Sequence, residues 1–271
     1  MATIETKGGV RLHAAEVGAG RALVLVHGWS LSHRAFAPQL PGLSRGFRVV
    51  APDLRGHGES SAPAGSSYAL DDFAGDVVAI FDALDLRDAV LAGWSWGAEI
   101  ALAALSALRD RVAGLALLSA TPRFTATAGW PHGLPEARVR ALRARLARAP
   151  DETRRAFFDG MFADGEVAGP ERARLAAEQL ATSPDVAAAR AALDALVASD
   201  LRDRVAAARE LPVLLVHGER DGICLPAASA WLHEQLLRSR REVIAGAGHA
   251  PQLSRPAEVT ALLAGFAERL A

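Results

Sequence analysis

Ser95 stands in Gly93-Trp94-Ser95-Trp96-Gly97, between an apolar run at residues 89–92 and a helical pattern that opens at Trp96. A serine on so tight a strand-to-helix turn presents its hydroxyl outward, and the two flanking glycines leave room for the turn. The helix N-terminus behind it favours negative charge developing nearby. Read alone, the pentapeptide also fits an ordinary βα turn with a capping serine, so the partners decide. A nucleophilic hydroxyl needs a base, and the base needs an acid to orient it. Asp221 follows the apolar run 213–217 in Gly218-Glu219-Arg220-Asp221-Gly222. His249 follows the run 241–245 in Gly246-Ala247-Gly248-His249-Ala250-Pro251. Serine, acid and histidine thus follow one another along the chain, each after a predicted strand, in an order that suits a nucleophile on a strand-helix elbow. Glu219 lies so close to its strand end that it is expected to point elsewhere. Residues 119–124, the other place for an acid, hold no carboxylate.

An oxyanion needs two backbone N–H donors. One is expected from Trp96, next to the nucleophile, and one from Trp29 in His27-Gly28-Trp29, after an early apolar run. His27 is expected to shape that loop, His57 to lie in a turn, and His217 to be structural at the end of a buried strand. His13, His33, His132 and His233 carry no matching context, and the histidines show no metal-ligand spacing. Trp94 reads as core packing. An Asp at position 95 would signal dehalogenase or epoxide hydrolase chemistry, and the chain has serine there. The sequence lacks a P-loop and a dinucleotide glycine motif after its first strand, so no cofactor and no metal are expected.

The elements that must hold these residues alternate in type. Buried strands are predicted at 22–26, 47–51, 89–92, 114–118 and 213–217, with a last one at 241–245. An alternating antiparallel edge strand is predicted at 10–17. Helices are predicted at 70–84, 96–107, 227–237 and 256–270. Such alternation builds a mostly parallel sheet flanked by helices, with ligands at its carboxyl edge. The rhythm breaks across 121–210, an Ala-, Arg- and Leu-rich stretch interrupted by Pro131, Pro135, Pro150, Pro170 and Pro184. A structureless loop of that length does not suit a compact domain, so it is predicted to be a helical lid. Residues 1–120 and 211–271 then form the core. Within the lid, Val139, Leu142 and Leu146 share one helical face of residues 135–149.

Composition narrows the class further. The 271 residues carry a net charge of -1, which gives no reason to expect nucleic acid as a partner. Cys224 is the only cysteine, so no intrachain disulfide can form. No signal-peptide layout and no apolar run of spanning length is present. A cytoplasmic monomer without a membrane partner is the expectation. Lys7 is the only lysine among 30 basic residues. Seven arginines face only Asp151 and Glu152 between residues 138 and 155.

Taken together, His27-Gly28-Trp29, Asp53-Leu54-Arg55-Gly56-His57-Gly58, the Ser95 elbow, Asp221 and His249 resemble the α/β-hydrolase superfamily. A narrower resemblance is to the pimeloyl-[acyl-carrier-protein] methyl ester esterases of biotin synthesis. It rests on Gly93-Trp94-Ser95, on Ser119 to Phe124 followed by Trp130-Pro131, on Asp221-Gly222, and on His249-Ala250-Pro251. That resemblance implies hydrolysis of a terminal methyl ester on a carrier-linked acyl chain. It also implies substrate contacts at Trp29, Ser95, Trp96 and His249, and at a lid segment of Phe157, Phe158, Asp159, Gly160 and Met161. The family usually has Leu and two glycines after its serine, where this chain has Trp96-Gly97-Ala98, so the Trp96 ring is expected to narrow the acyl pocket. Arg138, Arg143, Arg145, Arg154 and Arg155 would suit docking of an acidic carrier protein, or form a plain solvated face. The other readings are a general carboxylesterase or lactonase on small free esters, and a non-catalytic receptor on the same scaffold.

Overall fold

The computed structural model describes residues 2–6, 8–63, 65–182 and 184–270. Among these residues eight strands form one sheet in the order β1-β2-β4-β3-β5-β6-β7-β8. The strands are β1 (Ala2–Glu5), β2 (Arg11–Val17), β3 (Arg21–Val26), β4 (Phe47–Pro52), β5 (Ala89–Trp94), β6 (Val112–Leu118), β7 (Val213–Gly218) and β8 (Ser239–Ile244). From β4 to β8 all neighbours run parallel, while β2 is antiparallel to both β1 and β4. The Val-, Leu- and Ala-rich strands β3, β5, β6 and β7 are almost wholly buried, as helices on both faces require.

The helices are α1 (Leu40–Leu43), α2 (Leu70–Ala83), α3 (Trp96–Leu108), α4 (Glu136–Arg148), α5 (Pro150–Asp159), α6 (Gly169–Gln179), α7 (Val186–Ala198), α8 (Pro226–Gln235), α9 (Pro251–Ser254) and α10 (Pro256–Glu268). Pro256 does open its helix, where a missing N–H costs nothing. No described helix is long and apolar enough to cross a membrane.

The strands differ from the prediction in place and extent, and β6 begins at Val112, two residues before its predicted start. β2 is not the edge of the sheet, because β1 pairs outside it, Ala2 opposite Ala14. β8 begins at Ser239, two residues before the predicted start, because its polar edge-strand sequence hides the ladder. Among the described residues, 121–210 carry helices α4 to α7 and a 3-10 turn at Arg204–Ala208, and their strand pairing is limited to the isolated bridges Thr125–Leu134 and Thr127–Trp130. Val139, Leu142 and Leu146 are the buried face of α4. Pro150 stops α4 and starts α5 without a linker, since its ring cannot continue a helix but suits the first turn of one. Asp185 caps α7 by accepting the Ala188 amide at 2.9 Å.

Candidate active site

The parallel strands deliver the candidate residues to one edge. Ser95 falls between β5 and α3 with φ 56° and ψ -119°, a conformation that ordinary side chains rarely adopt. Its amide donates to the Leu118 carbonyl at 2.9 Å, tying the turn to β6. The glycines are required by contact. A Cβ on Gly93 would sit 2.2 Å from the Gly97 carbonyl oxygen, and one on Gly97 would sit 2.2 Å from that of Val26.

His249, in the loop after β8, places Nε2 2.9 Å from Ser95 Oγ. Its Nδ1 lies 2.8 Å from Asp221 Oδ2. Asp221, after β7, also accepts the Ile223 and Cys224 amides on Oδ1 at 2.8 and 3.0 Å. Burial alone would raise this carboxyl. The charge of His249 and hydrogen bonds from His217 and His249 outweigh it and hold Asp221 well below the usual carboxylate range. An ionised acid, an imidazole oriented by it and a hydroxyl in reach can together move the hydroxyl proton during attack on a carbonyl. Cys224 is no rival nucleophile. Burial, then the charges of Asp221 and Glu99, push its thiol well up.

The amides of Trp29 and Trp96 have no acceptor among the described residues, and Trp96 lies in the first turn of α3, where none is available within the helix. Gly28 lets its loop lie close against the Ser95 elbow. A Cβ there would meet the Trp94 ring at 3.0 Å and Ser95 Cβ at 3.3 Å. His27 sets this loop, since it accepts the Leu54 amide on Nε2 at 3.0 Å and donates from Nδ1 to the Gly28 carbonyl at 2.8 Å.

The Trp96 ring corrects an expectation. It is wholly enclosed and packs edge-on against Phe73, so it forms no wall of an open pocket. Trp94 is fully buried and also donates its indole N–H to the His249 carbonyl at 2.8 Å. Trp29 bonds the Ala189 carbonyl at 2.8 Å and meets Phe157 edge-on, the ring centroids 4.9 Å apart. Phe157 and Gly160 line a groove of about 220 Å³ with Leu142, Ile223, Arg138 and Arg145. Phe158 packs on Phe162, Asp159 pairs with Arg155, and Met161 is buried. Arg143 pairs with Asp194. Arg154 does not fit the docking expectation. It is only 5% exposed and bonds Ser30 Oγ at 2.9 Å beside the Trp29 loop, so no outside partner can reach it. A larger cleft of about 520 Å³, lined by Arg55, Asp72 and Asp76, holds none of Ser95, Asp221 and His249.

One cluster has the residue types of a metal site. The ligand atoms of His13, His33 and Asp53 lie within 4.8 Å of one another. Both imidazoles reach Asp53 through Nδ1, at 3.0 and 2.9 Å, and the His33 and Glu59 amides bond it at 2.7 and 2.9 Å. Its lone pairs are thus filled by protein donors, which suits a tether between loops rather than a cation.

A family model described as the alpha/beta hydrolase fold matches residues 21–256. The chain belongs to the alpha/beta hydrolase fold family. Within that hydrolase family it is similar to the pimeloyl-[acyl-carrier protein] methyl ester esterase of Nitrosospira multiformis, 32% identical over 270 residues, 96% of this chain and 99% of the other. It is 33% identical over 248 residues to the protein of the same name from Aromatoleum aromaticum, covering 89% of this chain and 96% of that one. A solved esterase from Exiguobacterium antarcticum superposes with a TM-score of 0.92 at 27% identity, covering 98% of this chain and 99% of that one.

The hydrolase scaffold also uses residues that sequence reasoning missed. The Glu219 carboxylate accepts the Gly246 amide at 2.8 Å and braces the turn before His249. Glu166 accepts the Gly248 amide at 2.8 Å. No spacing rule signals either contact, because each joins segments far apart in sequence.

Proposed function

We propose that this hydrolase is a serine carboxylic-ester hydrolase that cleaves the methyl ester of pimeloyl-[acyl-carrier protein]. The observation that carries the reading is the unbroken chain Ser95 Oγ, His249, Asp221, at 2.9 and 2.8 Å, in a protein similar to esterases of that name. Ser95 attacks the ester carbonyl while His249 Nε2 takes its proton. The Trp29 and Trp96 amides hold the oxyanion. His249 returns the proton to the leaving methoxide, and methanol departs. Water then attacks the acyl-enzyme with His249 again as base, which releases the carboxylate and regenerates Ser95. Removing one oxyanion donor in such sites costs ~2.7–4 kcal/mol of transition-state stabilisation.

The carrier is supported by the groove between α4 and α5. Its apolar lining joins Phe157 and Trp29, and Arg138 and Arg145 offer positive charge to an acidic partner. We place the reaction in the cytoplasm and the active form as a monomer. Likeness to a solved esterase favours one further reading, a carboxylesterase of small free esters.

Purified protein should release methanol from the methyl ester of pimeloyl-[acyl-carrier protein] with a higher kcat/KM than from free monomethyl pimelate. Ser95→Ala should abolish both. Equal kcat/KM for the two substrates would favour the small-ester reading, and full activity in Ser95→Ala would remove the serine mechanism. Restored growth without biotin, in a strain lacking its own such esterase, is the corresponding test in cells.

A further inference from the structure

His217 makes contacts that space-filling does not account for. It is wholly enclosed near the end of β7, behind the turn that carries Asp221. Its Nε2 lies 2.7 Å from the Cys224 carbonyl oxygen and 3.2 Å from Asp221 Oδ2. Its Nδ1 is buried and has no partner among the described residues. The ring hydrogen is therefore assigned to Nε2, the nitrogen that faces two acceptors.

Asp221 then has donors on every side. Oδ1 takes the Ile223 and Cys224 amides. Oδ2 takes His249 Nδ1–H and meets His217 Nε2–H. Cys224 bonds in both directions, its amide to Asp221 and its carbonyl to His217, so one imidazole closes the turn from strand end to residue 224. A carboxylate gripped in this way cannot rotate without breaking bonds to buried donors. The direction of its Oδ2 lone pair, and with it the plane of the His249 ring, is set from within the sheet.

We propose that His217 is a positioning residue for the hydrolytic reaction: its Nε2–H fixes the Asp221 carboxylate and the Cys224 carbonyl together, so that Asp221 presents Oδ2 to His249. The inference rests on the Ser95–His249–Asp221 mechanism proposed above. His217 touches no reacting atom. A buried histidine of purely structural use would need neither acceptor to belong to the acid turn.

The test uses the full chain and p-nitrophenyl butyrate, with Asp221→Asn measured alongside. His217→Leu removes the donor. His217→Gln carries an amide N–H to about the place of Nε2, whereas His217→Asn is too short to reach it. Loss of the bond to the Cys224 carbonyl and of the contact with the Asp221 carboxylate predicts kcat lower by about tenfold in His217→Leu with KM unchanged. His217→Gln should recover most of that kcat at the same melting temperature as His217→Leu. If His217→Leu does not fold, the comparison of His217→Gln with His217→Asn decides, and the glutamine variant should be the more active. Equal kcat in the glutamine and asparagine variants, or a kcat loss in all three that simply tracks melting temperature, overturns the positioning role. Full activity in Asp221→Asn would instead overturn the underlying mechanism, so the two failures read differently.

Discussion

The backbone amide of His249 donates to the carbonyl of Met161 at 2.6 Å, which joins the candidate base to the segment that follows α5. One residue earlier, the Gly248 amide donates to Glu166 Oε2, which also accepts the Ala163 amide at 2.6 Å. Two successive amides of the histidine loop are thus held by Met161 and Glu166. A Cβ on Gly248 would come within 2.4 Å of the same Met161 oxygen, so only glycine permits the approach. Glu166→Ala is expected to leave two amides without their acceptor, at about 1–3 kcal/mol of local stability. Turnover should fall through kcat more than KM, and hydrogen exchange at Gly248 should quicken. Unchanged exchange there would show that Glu166 does not hold the loop.

Strain at Ser95 leads to a prediction of opposite sign. A non-glycine residue at φ 56° and ψ -119° costs about 1–3 kcal/mol, and glycine relieves most of it at some entropic cost. Ser95→Gly should therefore melt higher than Ser95→Ala by about 1 kcal/mol of stability, with both variants inactive. Identical melting temperatures would mean that the elbow stores no strain.

Two enclosed histidines set an acid limit on stability. Burial, and then the charge of His57, lowers His27 from 6.5 to about 3. Burial, only partly offset by the bond to the Arg55 carbonyl, lowers His57 to about 4. As pH falls, the unfolded chain takes up these protons before the folded one. The stability they contribute is complete above about 6.5 and is lost as pH falls through about 4 for His57 and about 3 for His27. Each ring contributes a slope of up to about 1.4 kcal/mol per pH unit within its window. His57→Gln should flatten the decline between pH 6 and pH 5 by one such slope in urea melts. Parallel curves for variant and parent would contradict it.

Charge reversal separates the arginines. Arg138→Glu with Arg145→Glu should raise KM for carrier-linked substrate about tenfold and weaken its salt dependence, because both side chains line the groove. Turnover of a p-nitrophenyl ester should not change. Arg154→Ala should instead impair both substrates, since that side chain braces Ser30 next to the Trp29 loop. Loss confined to carrier-linked substrate in Arg154→Ala would contradict its buried role.

The candidate site was legible because its residues are marked locally. Gly93, Ser95 and Gly97 define a turn by spacing alone, and the contacts at 2.2 Å show why no larger residue fits. Asp221 and His249 could be placed because each follows an apolar run, and parallel strands bring such loops to one edge. The face of α4 was legible for the same reason, since Val139, Leu142 and Leu146 repeat with the helix. β1 was missed because four residues carry too little pattern, and pairing with β2 is what makes them a strand.

Only the tertiary structure decided the rest, because it depends on which distant segments meet. Arg154 and Arg155 are neighbours in sequence, yet one is buried on Ser30 and the other pairs with Asp159 at the surface. The Trp96 ring turned from the expected pocket wall to a partner of Phe73. His217 reads in sequence as the polar end of a strand, and the turn at residues 221–224 folds back onto its Nε2. By itself the sequence determined the scaffold, the order of serine, acid and histidine, and the backbone geometry of the elbow, since these follow from periodicity and steric exclusion over a few residues. Which arginine is buried and what holds the histidine loop follow from approaches such as Arg154 to Ser30 and Glu166 to Gly248, between segments far apart in the chain, that no local spacing encodes.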